Sequence, residues 1–477
     1  MANKRVQLTE WLPDQPDNAG GVNDAVNVIP STIGYQPFPN AVDFSGAASE
    51  SLNSVFVAKW DTEIAIFAGS ASKLFKFNAT TEAMEDKSKV GGYSGSNTWR
   101  FTQFGKTVIA SNGTEILQYW TMGTSTGFLD IATSPTAKAL TVVRDFVVTG
   151  NVNTGTLGSA TVQFSDINDE TSWTPSATSQ AGSQVIADGG NIQAITGGEF
   201  GLVFLERSIS RMSYVGTPFV FQFDTISRGL GCIEGGSVCQ YGNLSFFLSD
   251  DGFYTCDGNV VSPIGNSKID HWFFEDVDLA QITSMSSSIN PSATIAVWNY
   301  ANVGGGRTIL VYNWLLGKWS RVNTLSTVVG NIATVGTTLE GLATLGYTDI
   351  DAMPASLDSR LWVGGKFLFA GATGTKVSTF TGSAYNSEII TTDLEEGYNS
   401  VINLIRPQID NGSADISVAS RRELDDAIVF SATSTTSSEG RANARSAGRY
   451  HRIKIQPTGN WTDCMAVDVD FKPQGNR

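Results

Sequence analysis

Histidine and cysteine are scarce in this chain of 477 residues, which has two histidines and four cysteines. His271 and His451 lie far apart, and no group of His, Cys and carboxylate residues has the spacing of metal ligands. The cysteines form no CxxC pair, so the sequence favours neither a disulfide scaffold nor a metal site. They are Cys232, Cys239, Cys256 and Cys464. We interpret the first three, which lie close together in the sequence, as buried structural thiols.

Long apolar runs and clusters of positive charge are also missing. No run of about 18 apolar residues occurs, so we expect no membrane span, and the opening MANKRVQLTEW lacks the apolar stretch of a signal peptide. Charged residues make up 16% of the chain, and 46 acidic against 31 basic residues give a formal net charge of −15. A surface that grips nucleic acid needs clustered Lys and Arg. The charge therefore argues against DNA binding, although not against DNA passing by.

Glycine, β-branched and aromatic residues are abundant instead. There are 49 glycines, and aromatic residues make up 10% of the chain. Val, Ile, Thr, Phe, Tyr and Trp dominate the apolar runs, as strands prefer. This composition predicts an all-β protein.

Hairpin-like segments recur along the middle of the chain. Each has an apolar run, a turn rich in Gly, Ser, Asn or Asp, and a second apolar run. The six copies are residues 62–77, 104–120, 144–165, 200–214, 241–256 and 294–313. Their spacing, roughly 40 to 55 residues, is that of a four-stranded propeller blade. We therefore predict a β-propeller of six or seven blades over residues 51–345; a β-sandwich with coincidental hairpins is the alternative.

The flanking regions differ from the repeats. Residues 1–50, with several prolines, predict an extended N-terminal arm that packs on its own propeller or on a neighbour. Residues 346–384 are a connector or blade-completing strands, with strand-like pieces at 361–363 and 366–369. Residues 385–477 predict a small C-terminal β-domain, because polar and apolar residues alternate at 414–419 and 450–455. The Ser/Thr-rich residues 434–438 predict a loop.

Candidate catalytic residues are few. The acid pairs Asp250-Asp251 and Glu395-Glu396 could in principle serve a glycosidase, but adjacent acids at a hairpin tip are more typical of solvated turns. His451 lies in an alternating strand, where a structural role is favoured. The glycine-rich residues 371–378 and 304–306 lack the spacing of a phosphate-binding loop and predict turns. We therefore expect no enzyme, and no catalytic, cofactor-binding or metal-ligating residue.

Arginines give the C-terminal part a local excess of positive charge. They are Arg421, Arg422, Arg441, Arg445, Arg449 and Arg452. Two interpretations stay open: salt bridges with acidic residues of this or another copy of the chain, or a docking face for an acidic partner.

Several segments together resemble one family. They are residues 24–30 (DAVNVIP), 34–39 (GYQPFP), 246–254 (FFLSDDGFY), 257–258 (DG), 356–362 (SLDSRLW) and 448–453 (GRYHRI). The set is similar to tail-nozzle or tail-hub proteins of short-tailed bacteriophages, including the packaged-DNA stabilisation type. The resemblance spans most of the chain, although its motifs are loose turn and strand signatures.

The resemblance implies a structural virion protein of the phage tail, made in the bacterial host cytoplasm. It implies a homo-hexameric ring of propeller subunits below the tail adaptor, with tail fibres or spikes nearby. Genomic DNA would be retained by the ring and pass through its channel without sequence-specific binding and without a cofactor. An acidic channel wall would suit rapid release of DNA, since it does not attract phosphates.

Two other classes of function remain open from the residues. One is a polysaccharide-degrading propeller enzyme of a phage tail, against which stands the lack of a convergent His, Arg and carboxylate set in the predicted blades. The other is a propeller that binds glycan or protein as a monomer.

Overall fold

The computed structural model describes residues 2–95, 97–155, 157–334, 349, 356 and 365–474. Of the resemblance segment 356–362 only Ser356 falls within these ranges, and the strand-like piece 361–363 lies outside them. Strands dominate the described residues. The helices among them are the 3₁₀-helices η1 (Gly235–Ser237) and η2 (Leu279–Ser284) and the α-helix α1 (Asp270–Asp276).

Five short strands form the N-terminal arm, and their partners come from distant parts of the chain. They are β1 (Ala2–Gln7), β2 (Val22–Val26), β3 (Val28–Pro30), β4 (Tyr35–Pro37) and β5 (Pro39–Asp43). Only β3 and β4 pair with each other as a hairpin. The arm therefore packs on its own chain. Its strands β2 and β5 pair with propeller strands, as one of the two expected arrangements has it, whereas β1 and β4 pair with residues 464–471 near the C-terminus.

Antiparallel four-stranded meanders follow, and each is one propeller blade. Blades one to four consist of β6 (Leu52–Trp60), β7 (Glu63–Ser70), β8 (Leu74–Asn78), β9 (Ala83–Asp86), β10 (Arg100–Phe104), β11 (Thr107–Ser111), β12 (Gln118–Thr121), β13 (Leu129–Asp130), β14 (Ala137–Val143), β15 (Phe146–Val152), β16 (Thr161–Phe164), β17 (Gly182–Val185), β18 (Ile192–Thr196), β19 (Gly201–Leu205), β20 (Ser208–Gly216) and β21 (Val220–Arg228).

The remaining blades continue the same pattern. Their strands are β22 (Cys239–Tyr241), β23 (Leu244–Leu248), β24 (Phe253–Cys256), β25 (Val261–Pro263), β26 (Ser286–Asn290), β27 (Ile295–Ala301), β28 (Arg307–Asn313), β29 (Lys318–Thr324), β30 (Val328–Ala333), β31 (Phe367–Thr373) and β32 (Lys376–Ala384). Six meanders are separate sheets, and a seventh, β26 to β29, is continuous with a larger sheet. The fourth strand of the last blade is β5 from the arm, paired with β32.

The blades close into a ring around an axis. The first strand of each blade is the innermost, and β30 lies directly beside β6, so the last blade meets the first. The second strands, such as β7, β11, β19 and β27, are buried almost throughout. Stacking between two neighbouring blades covers both faces of such a strand, which explains its continuous apolar run.

The C-terminal domain consists of β33 (Glu388–Thr391), β34 (Leu394–Ile409), β35 (Ser413–Arg421), β36 (Ser434–Thr435), β37 (Ala442–Thr458) and β38 (Cys464–Pro473). The prediction of a loop at 434–438 was wrong at its start, because the two-residue β36 pairs with Asp415 and Ile416. The arm strand β2 lies between β29 of the propeller and β33, so one sheet runs from the sixth blade into this domain.

The predicted all-β propeller is confirmed. All six sequence repeats are the second and third strands of successive blades, from β7–β8 to β27–β28. The last blade is not recognisable as a sequence repeat, because β30 ends at Ala333 and β31 begins only at Phe367. Blade strands therefore extend to Ala384. Residues 346–384 were predicted to be a connector or blade-completing strands, and the second interpretation describes residues 367–384.

Candidate functional site in the axial channel

One cavity in the described structure lies between the innermost strands. This cavity of about 540 Å³ is bounded by β6, β10, β26 and β30 and by the segment that follows η2. A second cavity, of about 220 Å³, is bounded by β10, β14, β18 and β22. Arg100 and Phe101 line both. The two cavities together follow the propeller axis, and we refer to them as the axial channel.

The axial channel has the opposite charge to the rest of the protein. Among the described residues, those that line the channel and carry a charge are Arg100, Lys138 and Arg307, and none of the described lining residues is an Asp or Glu. The chain as a whole has a net charge of −15. In the part of the chain that the structure describes, the fold has therefore gathered three cationic side chains along these cavities.

Arg307 is held by neutral partners. Its Nε donates to Asn299 Oδ1 at 2.8 Å, and its terminal nitrogens donate to the hydroxyl and the carbonyl of Ser284 at 3.2 and 3.0 Å. Burial lowers the pKa of this guanidinium, which nevertheless stays charged at neutral pH. Its position is thus fixed while its charge is not neutralised by an ion pair.

The side chain of Arg100 has no hydrogen bond or ion pair within the described residues, and the residue is half-buried. Burial lowers the pKa of its guanidinium, an effect that the nearby carboxylate of Glu234 opposes. Glu234 is itself buried, and its Oε1 accepts a hydrogen bond from the backbone N–H of Gly236 at 3.0 Å. Glu234 therefore favours the charged form of Arg100, although the two side chains form no ion pair.

The rest of the lining of the larger cavity includes polar side chains and aromatic rings. Serine, threonine and asparagine side chains contribute hydroxyl and amide groups; they are Asn53, Ser54, Thr98, Ser284, Ser286, Ser287, Ser288, Thr327 and Asn331. The rings of Phe56 and Phe101 stack with centroids 5.6 Å apart and planes 12° apart. This lining can bind a polar, hydroxylated molecule of negative charge.

The structure places the acid pairs considered in the sequence in local contacts. Asp250 and Asp251 lie at the tip of the β23–β24 hairpin, where Asp251 accepts a hydrogen bond from the Tyr254 hydroxyl at 2.8 Å. Glu395 and Glu396 lie on β34 and form ion pairs with Arg449 and Lys4. These contacts engage the carboxylates in local structure.

All four cysteines are free and buried. Burial raises the pKa of Cys232, Cys239 and Cys464 to about 12. Among the described residues, no group of three or more His, Cys, Asp or Glu side chains could hold a metal ion. Nδ1 of the exposed His271 on α1 lies 3.5 Å from Oε1 of Glu275.

His451 is fully buried between strands of the C-terminal domain. Its Nε2 lies 2.8 Å from the hydroxyl oxygen of Ser400, and its Nδ1 lies 2.6 Å from that of Ser420. Burial lowers its pKa to about 4. The geometry suits a structural link between β34, β35 and β37.

The depressed pKa of His451 predicts acid sensitivity. The unfolded chain binds a proton at His451 near pH 6.5, whereas the folded protein resists protonation down to about pH 4, so stability falls as pH drops through this window. The shift corresponds to about 3 kcal/mol. Urea unfolding at pH 7, 5.5 and 4 should show this loss in the wild type and a smaller loss in His451→Gln. An equal acid response in both proteins would contradict the assignment.

Most of the C-terminal arginines pair with acids of the same chain. Arg441 and Arg449 form ion pairs with Glu439 and Glu395. Arg421 and Arg452 share the buried Asp393 and also contact Asp17 of the arm. The salt-bridge interpretation, with acids from the same copy, thus describes these four. Arg422 and Arg445 have no side-chain ion pair among the described residues.

An acidic cluster joins the arm to α1. The Asp14 carboxylate accepts hydrogen bonds from the backbone N–H groups of His271 and Trp272, at 3.0 and 2.8 Å, and so caps the helix. Asp270 packs so tightly that a Cβ on Gly252 would lie 2.2 Å from its carboxylate. Burial, and then the charges of Asp14 and Asp251, raise the pKa of Asp270 to about 7.

Neutralising Asp270 should stabilise the protein at alkaline pH. The folded protein keeps a proton on Asp270 that the unfolded chain loses near pH 4, so stability falls as pH rises from about 4 to 7 and stays lower above. With partial exposure discounted, Asp270→Asn should gain on the order of 1–2 kcal/mol at pH 8 and little at pH 5. Thermal unfolding at both pH values measures the difference. The exposed Asp425→Asn is the control, and a gain of equal size at pH 5 would contradict the prediction.

Sequence reasoning missed the axial channel. Arg100 is the first residue of the strand RFTQF and Arg307 the first of RTILVYN, and neither stands in a motif. The one available signal was an arginine at the start of a strand in an acidic chain. The packing of the blades decides which strand faces the axis. The sequence therefore did not indicate that Arg100 and Arg307 line the same cavity.

No helix in the described part of the chain is long and apolar enough to cross a membrane.

The chain matches no protein-family model, and no curated protein matches it. Solved structures with a similar fold include a chain in the crystal structure of the mitotic checkpoint complex. It is 8% identical with a TM-score of 0.39, over 74% of this chain and 95% of that one. The Neurospora crassa Pan2 WD40 domain is 8% identical with a TM-score of 0.40, over 72% and 96%. The likeness concerns the fold alone.

Proposed function

We propose that this chain is a structural virion protein that forms the tail-nozzle ring of a short-tailed bacteriophage. In this role six copies surround the DNA exit below the tail adaptor, near the fibres or spikes. They help to retain the packaged genome and let it pass during ejection. The proposal rests first on the sequence resemblance, and the fold adds one observation to it.

That observation is the convergence of four of the six resemblance segments in one hydrophobic core. Ala25 and Val28 from the first segment, Tyr35 from the second, Phe253 from the hairpin of blade five and Ile453 from β37 belong to a single cluster of buried residues. Segments separated by hundreds of residues in sequence thus form one structural unit. Because these segments pack against one another, the same packing constrains all of them, which would explain why they resemble one family together.

The same junction connects the propeller to the C-terminal domain. Arg321 on β29 forms a two-pronged contact with Asp24 on β2, at 2.9 and 2.7 Å, and β2 continues the sheet into β33. Such charge-assisted pairs fix geometry well. A subunit that must hold a ring around pressurised DNA benefits from this connection between propeller and C-terminal domain.

The net charge supports the role in a second way. Six copies would carry six times −15, or −90, formal charges. A ring wall of that sign repels phosphates, so DNA passing through it is not retarded by binding.

Cryo-electron microscopy of the particle whose genome encodes this chain tests the proposal. Six-fold density that fits the propeller and its C-terminal domain around the DNA exit would support it. Absence of the chain from the particle, or a peripheral position on a fibre, would overturn it. Assays of glycan binding and of cleavage of surface polysaccharide would then test the alternative propeller roles.

A further inference from the structure

The axial channel is a site that the proposed role does not use, and its two arginine side chains have N–H donors without a protein partner among the described residues. All five N–H donors of Arg100 lack a partner in the described structure, and two donors of Arg307 remain after its three bonds. The channel therefore presents several unpaired donors on two cationic groups.

Both arginines reach the same short stretch of chain. Arg307 donates to Ser284. The next residue, Met285, approaches Gly236 so closely that a Cβ there would lie 2.0 Å from the Met285 carbonyl oxygen and 3.5 Å from Nη2 of Arg100. The two guanidinium groups are thus placed around residues 284 and 285, at the wall of one cavity.

The chemistry of the lining narrows the class of ligand. Guanidinium groups match carboxylate and phosphate oxygens, and the serine, threonine and asparagine side chains match hydroxyl groups. The half-buried, stacked rings of Phe56 and Phe101 offer an apolar face. The volume of about 540 Å³ falls within the range of roughly 300–1,000 Å³ that small-molecule sites occupy.

We propose that the axial channel binds a small acidic sugar, a monosaccharide that carries a carboxylate or a phosphate. Arg100 is its main anion contact, Arg307 is a second contact held in place by Asn299 and Ser284, and the hydroxyl-rich wall binds the sugar ring. The site lies within one copy of the chain, so it does not depend on ring assembly or on the virion role.

Calorimetric titration of the full-length protein at low salt tests the site. The probes are glucuronate, glucose 6-phosphate, inorganic phosphate and glucose. Glucuronate or glucose 6-phosphate should bind saturably and at least tenfold more tightly than glucose. The relative affinity of these two probes distinguishes a carboxylate from a phosphate ligand. Equal affinity for glucose and for both acidic sugars, or no saturable binding of either acidic sugar, would overturn the proposal.

Inorganic phosphate tests the sugar part separately. If it binds as tightly as glucose 6-phosphate and glucuronate does not bind, the channel recognises an anion alone, and the sugar assignment is wrong. If the acidic sugars bind at least tenfold more tightly than inorganic phosphate, the hydroxyl-rich wall contributes as proposed.

Two variants distinguish a binding arginine from a structural one. Arg100→Met should weaken the acidic sugar at least tenfold without lowering the melting temperature of the free protein, because it removes a half-buried charge that has no partner. Arg228→Met, at an exposed position on β21, should leave binding unchanged. Equal weakening by both variants, or unchanged binding in Arg100→Met, would overturn the assignment. If Arg100→Met does not fold, the wild-type comparison of glucuronate with glucose still decides the proposal.

Discussion

Replacing Asp393 with alanine is expected to lower the free energy of unfolding by about 3–5 kcal/mol. The side chain of Asp393 is 2% exposed and contacts both Arg421 and Arg452, each 7% exposed. Without the carboxylate, two buried guanidinium groups keep only the half-exposed Asp17 as an acidic partner. Leaving a buried charge unpaired is costly, which accounts for the size of the effect.

Urea unfolding followed by tryptophan fluorescence measures this loss. Asp425→Ala is the matched control, since Asp425 lies in the exposed loop after β35; it should change stability by less than about 0.5 kcal/mol. Similar effects for the two variants would show that the Asp393 network does not hold the C-terminal domain and the arm together.

Replacing Trp11 with alanine should have an effect of similar size, about 3–5 kcal/mol. Trp11 is 1% exposed and packs edge-on against Trp272 of α1, with ring centroids 4.9 Å apart. Its indole N–H donates to the carbonyl of Asn23 at 3.0 Å. The substitution removes this packing and bond next to Asp14, which caps α1. The arm should therefore detach more readily from the propeller.

Limited proteolysis and urea unfolding together test this prediction. Cleavage within the first 50 residues should become faster in Trp11→Ala, and the unfolding midpoint should fall. Trp60→Ala, at a position 46% exposed on β6, is the control with little expected effect on either. Unchanged proteolysis of the arm in Trp11→Ala would indicate that other contacts hold it.

The blades were predictable from the sequence because their signal is local. Each hairpin repeats an apolar run, a turn and a second apolar run, and the buried second strand makes the run continuous. The last blade shows the limit of this signal. The strand β5 pairs with β32 across more than 330 residues, and no local pattern reveals such a partner.

The axial channel was not predictable for the same reason. Arg100 and Arg307 come from blades two and six, and only ring closure brings them to one cavity. His451 and the C-terminal arginines were visible as residue types, but their partners Ser400, Ser420 and Asp393 became apparent only through strand pairing.

By itself, the sequence determined the all-β class, the blade repeat and the acidic net charge, because periodicity and composition are properties of neighbouring residues. The tertiary structure decided the rest. It placed β2 between the propeller and the C-terminal domain, gave Asp393 its two arginines and collected positive charge at the axis of an acidic protein. Those features depend on contacts between residues far apart in the chain, and such contacts exist only in the folded protein.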